Sequence, residues 1–213
     1  MAVKIKIGGI KHNLEIGIVN TLRPDYIGFV FSPKSRHFIA PEHAAMLRRN
    51  LNPKIKVIGV FSNESLKTVG MCADIVQLDA VQLNGNETEE YVCSLREYIR
   101  CDIINAFKVT DVSVVDRAVC SLADYIQLDS AVKDGQHFDW SFTNRVKRPY
   151  FLSGGLTADN VEEALDLYSM PYALDVSSGV EERGIKDYRK MMKFIKTVRD
   201  HHKQIDFSKV NEM

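Results

Sequence analysis

Tyr150-Phe-Leu-Ser-Gly-Gly-Leu-Thr157 and its echo, Tyr172-Ala-Leu-Asp-Val-Ser-Ser-Gly-Val-Glu181, decide how the rest of the chain is read. Each is a short apolar run that stops abruptly in serine and glycine. The first leads into Thr157-Ala-Asp-Asn-Val-Glu-Glu-Ala-Leu, which has the pattern of a capped amphipathic helix. A few residues after the second, Asp187-Tyr-Arg-Lys-Met-Met-Lys-Phe-Ile begins another helical pattern. A strand ending at glycines leaves backbone N–H groups uncovered, and a following helix adds the positive end of its dipole. Two such turns side by side form a cradle for a phosphate. The alternative is that Gly154, Gly155 and Gly179 serve tight turns alone.

Working back toward the N-terminus, the same unit recurs. Apolar runs stand at Val3–Gly9, Tyr26–Phe31, Lys56–Phe61, Ala80–Gly85, Asp102–Val109 and Tyr125–Asp129. Helical patterns at Asn13–Leu22, from Pro41, after Asn63 or Ser65 as cap, Glu87–Ile99 and Val112–Leu122 separate them. A brief helical turn is expected from Asp139-Trp140. Near-continuous apolar strands alternating with helices predict parallel βαβ units buried on both faces. With the two closing runs the strands number eight, so the expected fold is a single-domain (β/α)8 barrel (a TIM barrel) over 1–202. The polar tail, 203–213, is expected to fray or pack loosely outside it. In such barrels a phosphate cradle follows the last two strands, where the two Ser/Gly turns fall.

Composition narrows the function. The chain has 213 residues, 45% hydrophobic and 26% charged, with 28 basic and 28 acidic side chains in balance. That balance gives no footprint for nucleic acid or an anionic membrane. The apolar runs are strand-sized, and Met1-Ala-Val-Lys-Ile-Lys-Ile lacks a signal-peptide layout, so a cytoplasmic protein is expected. Cys72, Cys93, Cys101 and Cys120 form no close pair and no metal spacing, and read as free thiols in a reducing compartment.

Catalysis in a barrel belongs at the C-terminal ends of the strands. Asp129 is the evident acid or base there. It follows an apolar run, where partial desolvation would raise its pKa and suit it to general acid work. The alternative is a carboxylate capping a helix or paired with a lysine. Asp175, just before its Ser-Ser-Gly turn, reads as structural.

Seven segments together carry a resemblance. They are Lys6-Ile-x-Gly9-Ile10, Gly28-Phe-Val-Phe-x-Pro-x-Ser35, Val81-Gln-Leu-x-Gly85, Leu128-Asp129, Phe138-Asp-Trp140, Leu152-Ser-Gly-Gly155 and Asp175-Val-Ser-Ser-Gly-Val-Glu181. In this order, from about Val3 to about Ile195, the chain resembles the phosphoribosylanthranilate isomerase family of tryptophan biosynthesis. The resemblance implies an Amadori rearrangement of N-(5-phosphoribosyl)anthranilate without a cofactor or metal. It implies that Asp129 protonates the furanose ring oxygen. It also implies that Gly154, Gly155, Ser177, Ser178 and Gly179 hold the phosphate, and that the partner is a small phosphorylated sugar. The chain is expected to be a monomer or homodimer.

Four departures fall on the opposite side of the site. The family's general base is a cysteine after Lys-Ile, and here that position is Gly8. Asn84 replaces a histidine, and His37, next to Arg36, replaces an arginine that receives the anthranilate carboxylate. The loop from Asp129 to Phe138 is short and keeps only Gly135 of a glycine-rich sequence. Lys6, Arg36, His37 and Asn84 are therefore the substrate-binding candidates, and Lys6 either faces substrate or fills the barrel against Asp175. A missing base predicts weak turnover, with a water above Gly8 or Asp129 itself as substitute. Two alternatives are a catalytically silent phosphosugar-binding homologue and a barrel isomerase or lyase acting on another sugar phosphate.

Overall fold

The computed structural model describes residues 2–130, 137–167 and 169–210. Eight parallel strands close into a barrel: β1 (Lys4–Ile7), β2 (Tyr26–Val30), β3 (Lys56–Phe61), β4 (Ala80–Leu83), β5 (Asp102–Val109), β6 (Tyr125–Ser130), β7 (Tyr150–Ser153) and β8 (Ala173–Val176). Closure is made by β1 against β8, with Lys6 opposite Asp175 and Ile7 opposite Val176. Around it lie α1 (Asn13–Leu22), α2 (Pro41–Arg49), α3 (Leu66–Val76), α4 (Glu89–Leu95), α5 (Val112–Val119), α6 (Val161–Leu165) and α7 (Tyr188–Val210). The barrel is the expected one.

Strand alternation divides the side chains into two sets. Ile5, Ile7, Ile27, Phe29, Leu128, Leu152 and Leu174 point outward and bury against Leu47, Val69, Val92, Val115 and Phe194 of the helices. The inward set begins at the N-terminal end with Tyr26, Ile58, Ala80, Ile104, Phe151 and Ala173. Tyr125 and Tyr172 pack on Phe151, and the hydroxyls of Tyr26 and Tyr172 lie 2.9 Å apart. One pleat further along, the inward positions turn polar: Lys6, Gln82, Gln127, Ser153 and Asp175. The apolar layer closes the bottom of the barrel, and the polar layer is the floor of the site above it.

Local detail sharpens several expectations. Ser65 caps α3 by accepting from the Thr68 N–H, whereas Asn63 sits at φ 57° and accepts from the Asn86 N–H. The helix expected from Glu87 starts at Glu89, because the Glu87 carboxylate is taken by the N–H groups of Asn63 and Gly85. Thr88 is its cap, and Tyr98 lies past its end and is half exposed. The segment after Thr157 turns before it becomes helical at Val161. At the other end, α7 continues to Val210, past the position 202 where the barrel was expected to end.

Candidate active site

A cavity of about 290 Å³ opens at the C-terminal face of the barrel. Its lining includes Lys6, Gly8, His37, Asn84, Asp129, Gly154, Gly155, Ser177, Ser178 and Gly179, so ten of the expected site residues converge there. Gln82, Gln127, Ser153 and Asp175, which sequence reasoning did not assign to the site, line it as well. Their signal was available in principle: each is a polar residue at an inward position of a strand that is otherwise apolar.

The side expected to hold phosphate is built from backbone. Gly154 and Gly155 have φ of 87° and 70°, a left-handed region that side-chain-bearing residues rarely enter. A β-carbon at Gly154 would also lie 2.3 Å from the Ser130 backbone nitrogen. At Gly179 a β-carbon would stand 1.9 Å from the Leu156 carbonyl oxygen. The turns after β7 and β8 thus touch backbone to backbone, and only glycine admits that approach. The helical dipole here does not come from α6, which is too short, or from α7, which is preceded by a small hairpin, β9 (Glu181–Glu182) with β10 (Ile185–Lys186). It comes from a 3₁₀ turn, Ser178–Val180, directly after β8. The first N–H groups of such a turn have no acceptor within it, and here they belong to Ser178 and Gly179. Lys186, buried, donates to the Ser177 carbonyl and hydroxyl at 3.1 Å and braces the turn from behind.

Asp129 ends β6 facing the cavity. Burial pushes its carboxyl above the usual range, against a 2.7 Å hydrogen bond from Ser153 Oγ. The nearby Asp175 charge adds to the rise, and Lys108 and Lys6 oppose it. Gln127 Nε2 donates to the same serine at 2.9 Å, so a relay Gln127–Ser153–Asp129 orients this carboxyl. A carboxyl displaced in this direction holds a proton more readily than a solvated one, as a general acid requires.

On the far side, Glu181 gathers a histidine, a lysine and an arginine. Its Oε1 contacts His37 Nε2 at 2.8 Å and Lys186 Nζ at 2.6 Å, and its Oε2 receives Arg36 Nη2 at 2.8 Å. Burial works to raise the Glu181 pKa, but the bonds from His37 and Lys186 outweigh it and hold the carboxyl at about 2. Arg36 is thereby turned toward Glu181, is largely exposed, and does not line the cavity. His37 does line it, its ring resting against Gly9, where a β-carbon would come within 2.9 Å. Asn84 Oδ1 accepts from Gln82 Nε2 at 2.8 Å, which ties it to the polar floor. Gly135 lies outside the described residues. Among the described residues no cluster of three or more His, Cys, Asp or Glu could hold a metal, and no helix is long and apolar enough to cross a membrane.

The family model described as "N-(5'phosphoribosyl)anthranilate (PRA) isomerase" matches residues 5–197. The chain belongs to this family. It is 39% identical over 201 residues to the N-(5'-phosphoribosyl)anthranilate isomerase of Caldanaerobacter subterraneus subsp. tengcongensis, covering 92% of this chain and 98% of that one. Identity with the isomerase of Thermoanaerobacter sp. (strain X514) is 36% over 204 residues, with the same coverage. Among solved structures, phosphoribosyl anthranilate isomerase from Thermotoga maritima superposes with a TM-score of 0.85 at 37% identity, covering 93% of this chain and 99% of that one. A phosphoribosyl anthranilate isomerase in complex with reduced 1-(o-carboxyphenylamino)-1-deoxyribulose 5-phosphate superposes with a TM-score of 0.83 at 37% identity and the same coverage. The isomerase family therefore accounts for nearly the whole chain, including the segment around Gly8.

Proposed function

We propose that this chain catalyses the Amadori rearrangement of N-(5'-phosphoribosyl)anthranilate to 1-(2-carboxyphenylamino)-1-deoxyribulose 5-phosphate, an aldose–ketose isomerisation of tryptophan biosynthesis. The observation that carries this is the pairing of an anion cradle with a pKa-raised carboxyl across one cavity. The phosphate lies against Gly154, Gly155, Ser177, Ser178 and Gly179. Asp129 gives its proton to the furanose oxygen as the ring C–O bond breaks, and the nitrogen lone pair forms the C1'=N iminium. His37 and Asn84 take the anthranilate side. Arg36 acts on that side through Glu181, whose charge it shares with His37. Free thiols at Cys72, Cys93, Cys101 and Cys120 are consistent with a cytoplasmic setting.

The test is steady-state turnover followed by loss of anthranilate fluorescence. Asp129→Asn should lower kcat by roughly 10²–10⁴, the usual contribution of a general acid, with affinity for the reduced product analogue preserved. Full activity in that variant would remove Asp129 from the acid role. Binding without turnover by the unmodified chain would instead favour a silent phosphosugar-binding protein.

A further inference from the structure

The general base is unassigned, because the position that carries the family's cysteine is Gly8. Asp175 is the residue beside it. Its Oδ2 is held at 2.6 Å by Lys6 Nζ, a lysine 1% exposed that also donates to Gln82 Oε1 at 2.5 Å. Its Oδ1 is buried and, among the described residues, has no hydrogen-bond partner. The Asp175 side chain as a whole is only 9% exposed. An unsatisfied buried acceptor is costly, and a native protein that keeps one invites a functional explanation.

The direction of that oxygen supplies one. A β-carbon built on Gly8 would have Asp175 Oδ1 as its nearest neighbour, at 3.2 Å. The next atoms, Ser177 Cβ and Oγ, are further away, at 3.5 and 3.8 Å. Oδ1 thus faces the side of Gly8 on which a side chain would stand. Any side chain at position 8 would fill the point and shield the carboxylate. Glycine leaves that point unfilled, and both residues line the cavity.

We propose that Asp175 is the general base of this chain, reaching the C2' proton over the bare backbone of Gly8. This rests on the isomerase function proposed above. After ring opening, Oδ1 takes the C2' proton. The C2'–H pair becomes the C1'=C2' bond, and the iminium π pair returns to nitrogen, leaving a neutral enaminol. Ketonisation adds a proton at C1' and removes one from the C2' hydroxyl, so substrate and product are isomers and no co-reactant is needed. Lys6 fixes the carboxylate through its other oxygen and is a positioning residue.

Four proteins test this: the unmodified chain, Asp175→Asn, Gly8→Ala, and Gly8→Cys combined with Asp175→Asn. Asp175→Asn should lower kcat by roughly 10²–10⁴. A substrate deuterated at C2' should then show a larger isotope effect, because proton removal has become the slow step. Adding Gly8→Cys should restore at least about tenfold in kcat and make activity sensitive to iodoacetamide, a rescue that a purely structural role of Asp175 would not give. Gly8→Ala, which places an inert methyl in front of Oδ1, should also lower kcat, and it decides the matter if Asp175→Asn fails to fold. Unchanged kcat in Asp175→Asn or in Gly8→Ala overturns the assignment of the base alone. The same holds if Gly8→Cys fails to rescue a folded Asp175→Asn that binds the reduced product analogue. No turnover by the unmodified chain overturns the isomerase function and the base together.

Discussion

Ser153 Oγ donates a 2.7 Å hydrogen bond to Asp129 Oδ1, so the last residue of β7 sets the acid at the end of β6. Burial raises the Asp129 pKa and this bond lowers it. An acid works while protonated, so its contribution is present at low pH and fades as pH rises through its pKa. Ser153→Ala removes a lowering influence. The alkaline limb of kcat should therefore move to higher pH, together with a several-fold fall in kcat as the orientation loosens. An alkaline limb that stays in place or moves down would contradict the relay.

Glu181 ties His37 of the cavity wall to stability in acid. Its carboxyl is held at about 2, below the ordinary 4.5. For a depressed carboxylate the stabilisation is complete above the unfolded value and is lost as pH falls through the folded one. Between pH 4.5 and 2 the protein should therefore lose on the order of 3 kcal/mol from this group. Glu181→Gln should flatten that part of the stability–pH curve, measured by urea unfolding at stepped pH. It should also raise KM, since His37 and Lys186 lose their shared anchor.

Gly179→Ala should disturb the phosphate side through the backbone. A β-carbon there meets the Leu156 carbonyl at 1.9 Å, so one of the two turns must move. A loss of roughly 1–3 kcal/mol is expected from such overpacking, read as a lower midpoint in chemical denaturation. KM for the phosphorylated substrate should rise more than kcat falls. An equal fall in kcat at unchanged KM would place the damage elsewhere.

Alkylation tests whether a thiol takes part in the chemistry. Burial pushes the Cys72 and Cys101 thiols up to about 11, and none of the four cysteines lines the cavity. The thiolate is the reactive form, so iodoacetamide at neutral pH should modify exposed Cys93 and Cys120 without loss of turnover. Inactivation in step with modification of one cysteine, followed by mass spectrometry, would show a thiol in the chemistry.

Much of this was legible in the chain itself. The alternation of apolar strands and helices specified a barrel, because burial on both sheet faces leaves near-continuous apolar runs that local sequence displays. Gly154, Gly155 and Gly179 marked the cradle, because backbone approach and positive φ restrict residue type wherever they occur. Asp129 was visible as a carboxylate at the end of an apolar strand. The extent of α4 was not, since Glu87 is diverted by N–H groups of two separate loops.

The sequence alone determined the fold and the absence of a side chain at Gly8. Only the tertiary structure decided that Arg36 turns to Glu181 and that Asp175 turns toward Gly8 an oxygen without a hydrogen-bond partner among the described residues. Both depend on residues far apart in the chain that meet when β1 closes on β8. Periodicity places a side chain inside or outside a strand, whereas its partner is fixed by which strand ends beside it.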